Sequence, residues 1–181
     1  MTRFTLVGDS AVPRDRPHEH TIRPSVEADV ARICAIYNHY VRETVVTFEE
    51  TPLAVAEMAR RIDEVRRRFP WLVVEQGGAV AGYAYASLWK ARSAYRFAVE
   101  STIYLAPEAV GRGLGAGLYR ALLELLPQCD VHRVVGCIAL PNERSVALHE
   151  KLGFRKIGVF DQVGFKFGRW VDVGYWELAF G

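Results

Sequence analysis

Val26, Val30, Ile33, Tyr37 and Tyr40 recur every three or four residues, the spacing of one apolar helix face, so a helix is expected over about residues 26–40. A short extended piece at Thr21–Arg23 precedes it, with Ser25 as its N-cap. Val45–Phe48 reads as β-rich, and Thr51 followed by Pro52 marks a second helix start, Thr51 capping and Pro52 in the first helical position. Leu53, Ala56, Ala59, Ile62, Val65 and Phe69 then repeat at the helical period. The run Arg66, Arg67, Arg68 falls near that helix's C-terminus, where the backbone dipole favours cations, and reads as a solvated helix end.

Period-two and continuous apolar runs follow. Trp71–Glu75 and Ala79–Ala86, parted by Gly77–Gly78, form an expected hairpin. After the polar, aromatic stretch WKARSAYRF (89–97) comes a strand at Val99–Leu105, then GRGLGAG at 111–117. Leu114, Leu118, Ala121, Leu122 and Leu125 carry a helix to its stop at Pro127. The remainder reads as a strand (Arg133–Ala139), a helix (about Asn142–Leu152, closed by Gly153) and a hairpin across Phe154–Val163 and Trp170–Phe180. Strands alternate with helices, which predicts one α/β domain over residues 21–181. Residues 1–20 have no hydrophobic period and read as a mobile extension. Their His18 and His20 lack further ligands, so no metal site is expected.

Composition narrows the function classes. Half of the 181 residues are hydrophobic, 24% are charged and the formal net charge is +2, which suits a soluble globule and gives no general grip on nucleic acid or anionic membrane. No apolar run approaches the roughly 20 residues that span a bilayer, and the N-terminus lacks the apolar stretch of a secretion signal. A cytoplasmic protein is expected. Cys34, Cys129 and Cys137 form no CxxC pair and read as inert packing thiols of a reducing compartment.

The chemistry-bearing local pattern is a strand, glycines at 111, 113, 115 and 117, then an amphipathic helix. Glycines let main chain approach a ligand, and the free N–H groups of a first helical turn favour an anion. No GxGxxG opens a βαβ unit and no GK[ST] completes a P-loop, so a dinucleotide fold and nucleotide hydrolysis lose support.

The stretch ESTIYLAPEAVGRGLGAGLYRALL (100–123) resembles the coenzyme A signature of the Gcn5-related N-acetyltransferases, with a pyrophosphate loop of pattern [RQ]xxGx[GA]. IYNHYV (36–41), RRFPWLVVE (67–75), WKARSAY (89–95), VESTIYLAP (99–107), LPNERSVALHEKLGF (140–154) and GFKFGRWVDVGYW (164–176) together resemble the phosphinothricin acetyltransferase group, over nearly the whole chain from Thr21 to Phe180. The resemblance implies an α/β (α+β) fold with a mixed, twisted sheet flanked by helices, and a splay beside Leu105 where acetyl-CoA enters. It also implies acetylation of the amino group of phosphinothricin or a similar amino acid, no metal, and a homodimer packed through the C-terminal aromatic strands.

On the same resemblance, main-chain groups of Ile103, Tyr104 and Leu105 would pair with the pantetheine arm. Amides from Gly111 through Arg112, Gly113, Leu114 and Gly115 to Ala116 would cradle the pyrophosphate, and Asn142 would bond the cofactor arm. Aligned by the following helix, the first loop position is Val110, where the family has Arg or Gln; Arg112, Gly115 and Gly117 satisfy the pattern in a register shifted by two residues. Glu100 matches the family's catalytic glutamate, able to take a proton from the ammonium directly or through water. His149 matches a catalytic histidine, with the direction of its proton transfer left open. By spacing alone, a helical histidine beside Leu148 is more often structural.

Lys90 and Arg92 match substrate-contacting positions, where two cations could hold the carboxylate and phosphinate of a glutamate-like acceptor, with Phe48, Tyr85 and Tyr95 as walls. Asp172 of the WxDV pattern is present, and Val171 replaces a histidine common in that group. The expected reaction is direct attack in a ternary complex, since no Cys–His–Asp arrangement supports a covalent acyl-enzyme. The alternatives are an enzyme of the same fold acting on a protein N-terminus or polyamine, and a non-catalytic module that binds coenzyme A.

Overall fold

A computed structural model describes residues 20–180. Strand β1 (His20–Pro24) leads into helix α1 (Val30–Glu43) and helix α2 (Val55–Arg66). Strands β2 (Trp71–Gln76), β3 (Ala79–Leu88) and β4 (Ala98–Leu105) follow. Helix α3 (Leu114–Leu125) connects to strand β5 (Arg133–Leu140), and helix α4 (Glu143–Lys151) to the hairpin of β6 (Arg155–Lys166) and β7 (Arg169–Ala179).

All seven strands share one sheet in the order β1-β2-β3-β4-β5-β7-β6. The neighbouring strands are antiparallel except β4 and β5, which the crossover through α3 makes the parallel pair. Their ladder covers only Ala98–Ser101 against Arg133–Gly136. Beyond it β4 stays paired to β3 through Leu105, and β5 to β7 through Leu140, so the sheet parts in its middle. The expected mixed sheet with a splay beside Leu105 is the observed one.

Alternate residues of β4 serve opposite faces. Tyr104 meets the rings of Tyr37 and Tyr40 of α1, with centroids 5.5 and 4.9 Å apart, while Ser101 meets Tyr119 of α3 across a 2.6 Å hydrogen bond. The helical face Leu114, Leu118, Tyr119 and Leu122 is fully buried, and so are Val73, Ala84, Val99 and Val134 of the central strands.

Two start signals work differently from the sequence reading. Ser25 does not cap a helix: its N–H donates to Trp71 O (2.9 Å), extending the β1–β2 ladder, and its hydroxyl is buried without a partner. Asp29 takes over, accepting Val26 N–H (2.8 Å) at a short 3-10 turn, Glu27–Asp29, that feeds α1. Thr51 and Pro52 likewise lie outside α2, whose N-cap is Ala54. Asn38 explains this, because its amide clasps Leu53 from both sides: Leu53 N–H donates to Oδ1 and Nδ2 donates to Leu53 O, each at 2.8 Å, which holds the segment extended. Val45–Phe48 joins no ladder; Thr47 is tied instead to the Tyr37 hydroxyl at 2.9 Å. His20, placed in the extension, belongs to β1, and the other residues of that extension lie outside those described.

Arg23 secures the edge of the sheet, donating to both oxygens of Asp29 (2.7 and 2.9 Å) and to Glu75 (3.0 Å). The guanidinium, together with Val26 N–H, outweighs burial and lowers the Asp29 carboxyl below its ordinary value. A depressed carboxylate stabilises the fold above its unfolded pKa and loses that contribution as pH falls through the folded one. Asp29→Asn should therefore cost about 2 kcal/mol at neutral pH, measured by urea unfolding, and the gap to wild type should close as the pH is lowered into the acid range.

Candidate active site

The parting of β4 from β5 opens a cleft of about 260 Å³. Residues Glu100 to Tyr104 form one wall, Cys137 to Ala139 the other, Asn142, Ser145 and His149 of the α4 segment close one side, and Thr47, Phe48 and Tyr85 the opposite side. Of the expected site residues, Phe48, Tyr85, Glu100, Ile103, Tyr104, Asn142 and His149 therefore meet in one place.

Glu100 is half-buried, and burial raises its carboxyl above the ordinary value while the Lys90 charge works against that rise. A carboxylate tuned upward is a better base toward an ammonium group. Tyr85 is held flat against Trp71, ring centroids 4.0 Å apart and planes 2° apart. Phe48 covers Gly164 on β6 so closely that a Cβ there would meet its ring at 2.2 Å. Asn142 caps α4, its Oδ1 accepting Ser145 N–H at 3.1 Å.

His149 is buried, with both ring nitrogens engaged: Nδ1 lies 2.8 Å from Ser145 O and Nε2 3.0 Å from the Tyr119 hydroxyl. Burial lowers its pKa, only partly offset by the Ser145 carbonyl. Its ring lies directly on Gly136, where a Cβ would approach Cδ2 to 2.6 Å, so no side chain fits at that point of β5.

Comparison with known proteins decides the family. The model for the acetyltransferase (GNAT) domain matches residues 22–174. The chain belongs to the GNAT acetyltransferase family. It is 44% identical over 168 residues to phosphinothricin N-acetyltransferase of Streptomyces viridochromogenes, covering 93% of this chain and 91% of that one. It is 37% identical over 160 residues to an L-methionine sulfoximine/L-methionine sulfone acetyltransferase of Pseudomonas paraeruginosa, covering 87% and 93%. Among solved structures, a GNAT superfamily phosphinothricin acetyltransferase from Sinorhizobium meliloti in complex with AcCoA superposes with a TM-score of 0.86 at 40% identity, over 90% of this chain and 89% of that one. The acetyltransferase is thus an N-acetyltransferase with acetyl-CoA as its acyl donor.

The donor side of this acetyltransferase fits that molecule. Thr102–Leu105 have no strand partner toward β5, which leaves main-chain groups open to an extended pantetheine arm. Helix α3 starts without a side-chain cap among the described residues, behind Gly113 in the left-handed region (φ 79°); Gly111 (φ 85°) shares that conformation, and none of the described residues lies within 4 Å of where either Cβ would be. The uncapped first turn, Leu114 to Ala116, thus meets open space suited to a diphosphate. Gly115 faces Leu105 and Ile103, which brings the loop against the end of β4. Arg112 is exposed and reaches Gln76 at 3.4 Å. The Leu105 carbonyl is already engaged by the Tyr40 hydroxyl (2.6 Å).

Lys90, Arg92 and Tyr95 lie on an exposed segment outside the cleft's lining. Lys90 Nζ is 5.0 Å from the Trp89 ring, Tyr95 sets its ring edge-on to Trp89 at 5.6 Å, and Arg92 contributes its carbonyl to Tyr95 N–H at 2.9 Å. Asp172 accepts Gln162 N–H (2.7 Å) at the irregularity in β6, and Val171 is buried. Cys34 is buried and donates to Leu53 O at 3.4 Å; all three cysteines are unbridged.

Sequence reasoning missed Tyr119 of α3, whose hydroxyl bonds His149, and Ser101 of the sheet, which bonds that hydroxyl in turn. It also missed Lys166, a buried lysine of β6 that donates to Thr47 O at 2.7 Å and pins the segment carrying Phe48. Only the alternation of β4 hinted at Ser101, one residue from Glu100 and thus on the other face. The Lys90–Glu100 coupling gives a direct test. Because the cation lowers the Glu100 pKa, Lys90→Ala should move the acid limb of kcat/KM to higher pH, and Lys90→Arg should leave it in place; an unmoved limb in Lys90→Ala would remove the coupling.

Proposed function

We propose that residues 21–181 act as one acetyltransferase domain that acetylates the α-amino group of a small amino acid or analogue, of the phosphinothricin or methionine sulfoximine type, by direct attack in a ternary complex. The observation that carries this reading is Glu100, a half-buried carboxylate with a raised pKa in the cleft where the sheet parts. The named activities of the relatives from Streptomyces and Pseudomonas support the acceptor class. Acetyl-CoA supplies a thioester carbonyl open to an amine and a thiolate that can depart. Every other demand falls on the chain's own groups.

Main-chain groups of Ile103, Tyr104 and Leu105 and the amides from Gly111 to Ala116 hold the donor, with Asn142 bonding its arm. Glu100 takes a proton from the acceptor ammonium, directly or through one water, which frees the lone pair for attack. Tyr85 and Phe48 wall the acceptor, and the charges of Lys90 and Arg92 draw an anionic acceptor toward Glu100. His149 takes part in proton transfer from the far side of the cleft.

A homodimer in the cytoplasm completes the reading. It is supported by the outward side of the β6–β7 hairpin, an edge of the sheet where Ile157, Phe160, Val163, Phe165, Phe167 and Trp170 are each at least half exposed. An apolar edge of that kind is usually covered by a second surface. Among the described residues no helix is long and apolar enough to cross a membrane.

The test is release of free coenzyme A with phosphinothricin, methionine sulfoximine and other amino acids as acceptors. Wild type should turn over at least one anionic amino-acid analogue, and Glu100→Gln should lower kcat by roughly 10²–10⁴-fold, the range for a positioned proton-transfer group, with acetyl-CoA binding kept. Equal turnover by the variant would take Glu100 out of the mechanism, and activity toward polyamines alone would overturn the acceptor class.

A further inference from the structure

A continuous line of hydrogen bonds runs from the cleft into the protein on the side away from Glu100. Ser101, in the cleft wall, lies 2.6 Å from the Tyr119 hydroxyl; Tyr119 lies 3.0 Å from His149 Nε2; His149 Nδ1 lies 2.8 Å from Ser145 O. The chemistry of its far end sets the direction of the whole line. A main-chain carbonyl only accepts, so Nδ1 carries the hydrogen of that bond. In a neutral ring Nε2 is then an acceptor, Tyr119 must donate to it, and the single Tyr119 hydrogen is used there. Ser101 therefore donates to Tyr119 at 2.6 Å rather than to the Val135 carbonyl, which lies 3.4 Å away.

The opposite polarity would need an imidazolium. The groups that meet the ring are Tyr119 of α3, the Gly136 main chain of β5, Ser145 of its own helix, and Phe154, whose ring is 5.0 Å away. Tyr119 is the one titratable group among them, its hydroxyl pushed up and kept protonated by burial. No carboxylate or cation bonds to the ring among the described residues, and Glu100 projects from the other face of β4. A buried imidazolium would have no counter-charge.

We propose that Tyr119 is a positioning residue that holds His149 as a neutral proton acceptor, and that the Ser101 and Tyr119 hydroxyls carry a proton to it from the cleft. This rests on the acetyl-transfer reading above and assigns the direction that the sequence left open. As the acceptor nitrogen becomes an amide it gives a proton to Ser101 Oγ; the Ser101 proton passes to Tyr119, and the Tyr119 proton to Nε2. Three bonds to hydrogen break and three form, leaving a transient imidazolium with Nδ1–H still on Ser145 O, a species absent from the resting site and balanced here by the thiolate released into the same cleft. The acceptor ammonium loses two protons in all, one to Glu100 and one along this line; the coenzyme A thiolate takes up one and solvent the other.

Nitrogen-15 NMR of the histidine-labelled protein tests the resting state without any turnover. At neutral pH His149 should be the Nδ1–H tautomer with Nε2 unprotonated. An Nε2–H tautomer, or an imidazolium, would overturn the proposal whether or not the enzyme acetylates amino acids. The second arm is kinetic. Tyr119→Phe keeps the ring against Phe154 and removes the hydroxyl, so kcat should fall on the order of 10²-fold, KM for acetyl-CoA should hold, and the kcat–pH profile should lose the ionisation assigned to His149. Ser101→Ala should lower kcat similarly while leaving the His149 tautomer intact, and it serves if Tyr119→Phe does not fold. Wild-type kcat and pH profile in a folded variant would overturn the relay, while loss of coenzyme A release from every acceptor by wild type would instead overturn the acetyl-transfer reading.

Discussion

Everything at this site follows from a ladder that stops after four residues. The parallel strands β4 and β5 pair only from Ala98 to Ser101 and from Arg133 to Gly136. Each is anchored beyond that point by an antiparallel neighbour, β4 by β3 and β5 by β7, so the gap is held open from both sides. An unpaired stretch of strand carries main-chain groups that need partners. The proposed partner is the pantetheine arm of acetyl-CoA, and the first turn of α3, which has no side-chain cap among the described residues, stands where the arm's diphosphate would follow.

The period of two along β4 then divides the chemistry. Glu100 and Ser101 are neighbours in sequence, yet they face opposite sides of the sheet. Glu100 shares its side with the aromatic residues packed against α1, and its carboxyl is raised by burial. Ser101 belongs to the side of α3 and α4, where Tyr119 and His149 have no charged hydrogen-bond partner among the described residues. The relay proposed above thus gives proton traffic two separate exits from one cleft, one through a carboxylate and one through a neutral imidazole. Gly136 has no room for a side chain because that imidazole rests on it.

Much of this was legible in the pattern of residues. The α3 repeat Leu114, Leu118, Leu122 and the strands on either side are strongly apolar and short-range in origin, and the structure has them at the expected places. Glu100 and His149 were singled out through resemblance alone, and both line the same cleft. The start signals at Ser25 and Thr51–Pro52 misled because contacts outside the local pattern decide them: Ser25 N–H joins Trp71 in one case, and Asn38 reaches Leu53 in the other. Tyr119 was invisible for a different reason. On the apolar face of α3 a tyrosine reads as packing, and nothing in its spacing reveals that its hydroxyl meets a histidine 30 residues away. Lys166 was equally hidden, since a lysine on an edge strand is ordinarily solvated, and here it turns inward to Thr47 O.

Amide hydrogen exchange with and without acetyl-CoA reads directly whether the donor lies in the parting of the sheet. The account expects slowed exchange on binding at two separated stretches, Thr102–Leu105 and Gly111–Ala116, with little change in the paired ends of β4 and β5. Exchange left unchanged at both stretches by saturating acetyl-CoA would contradict it, because the donor would then be held elsewhere than in the parting of the sheet.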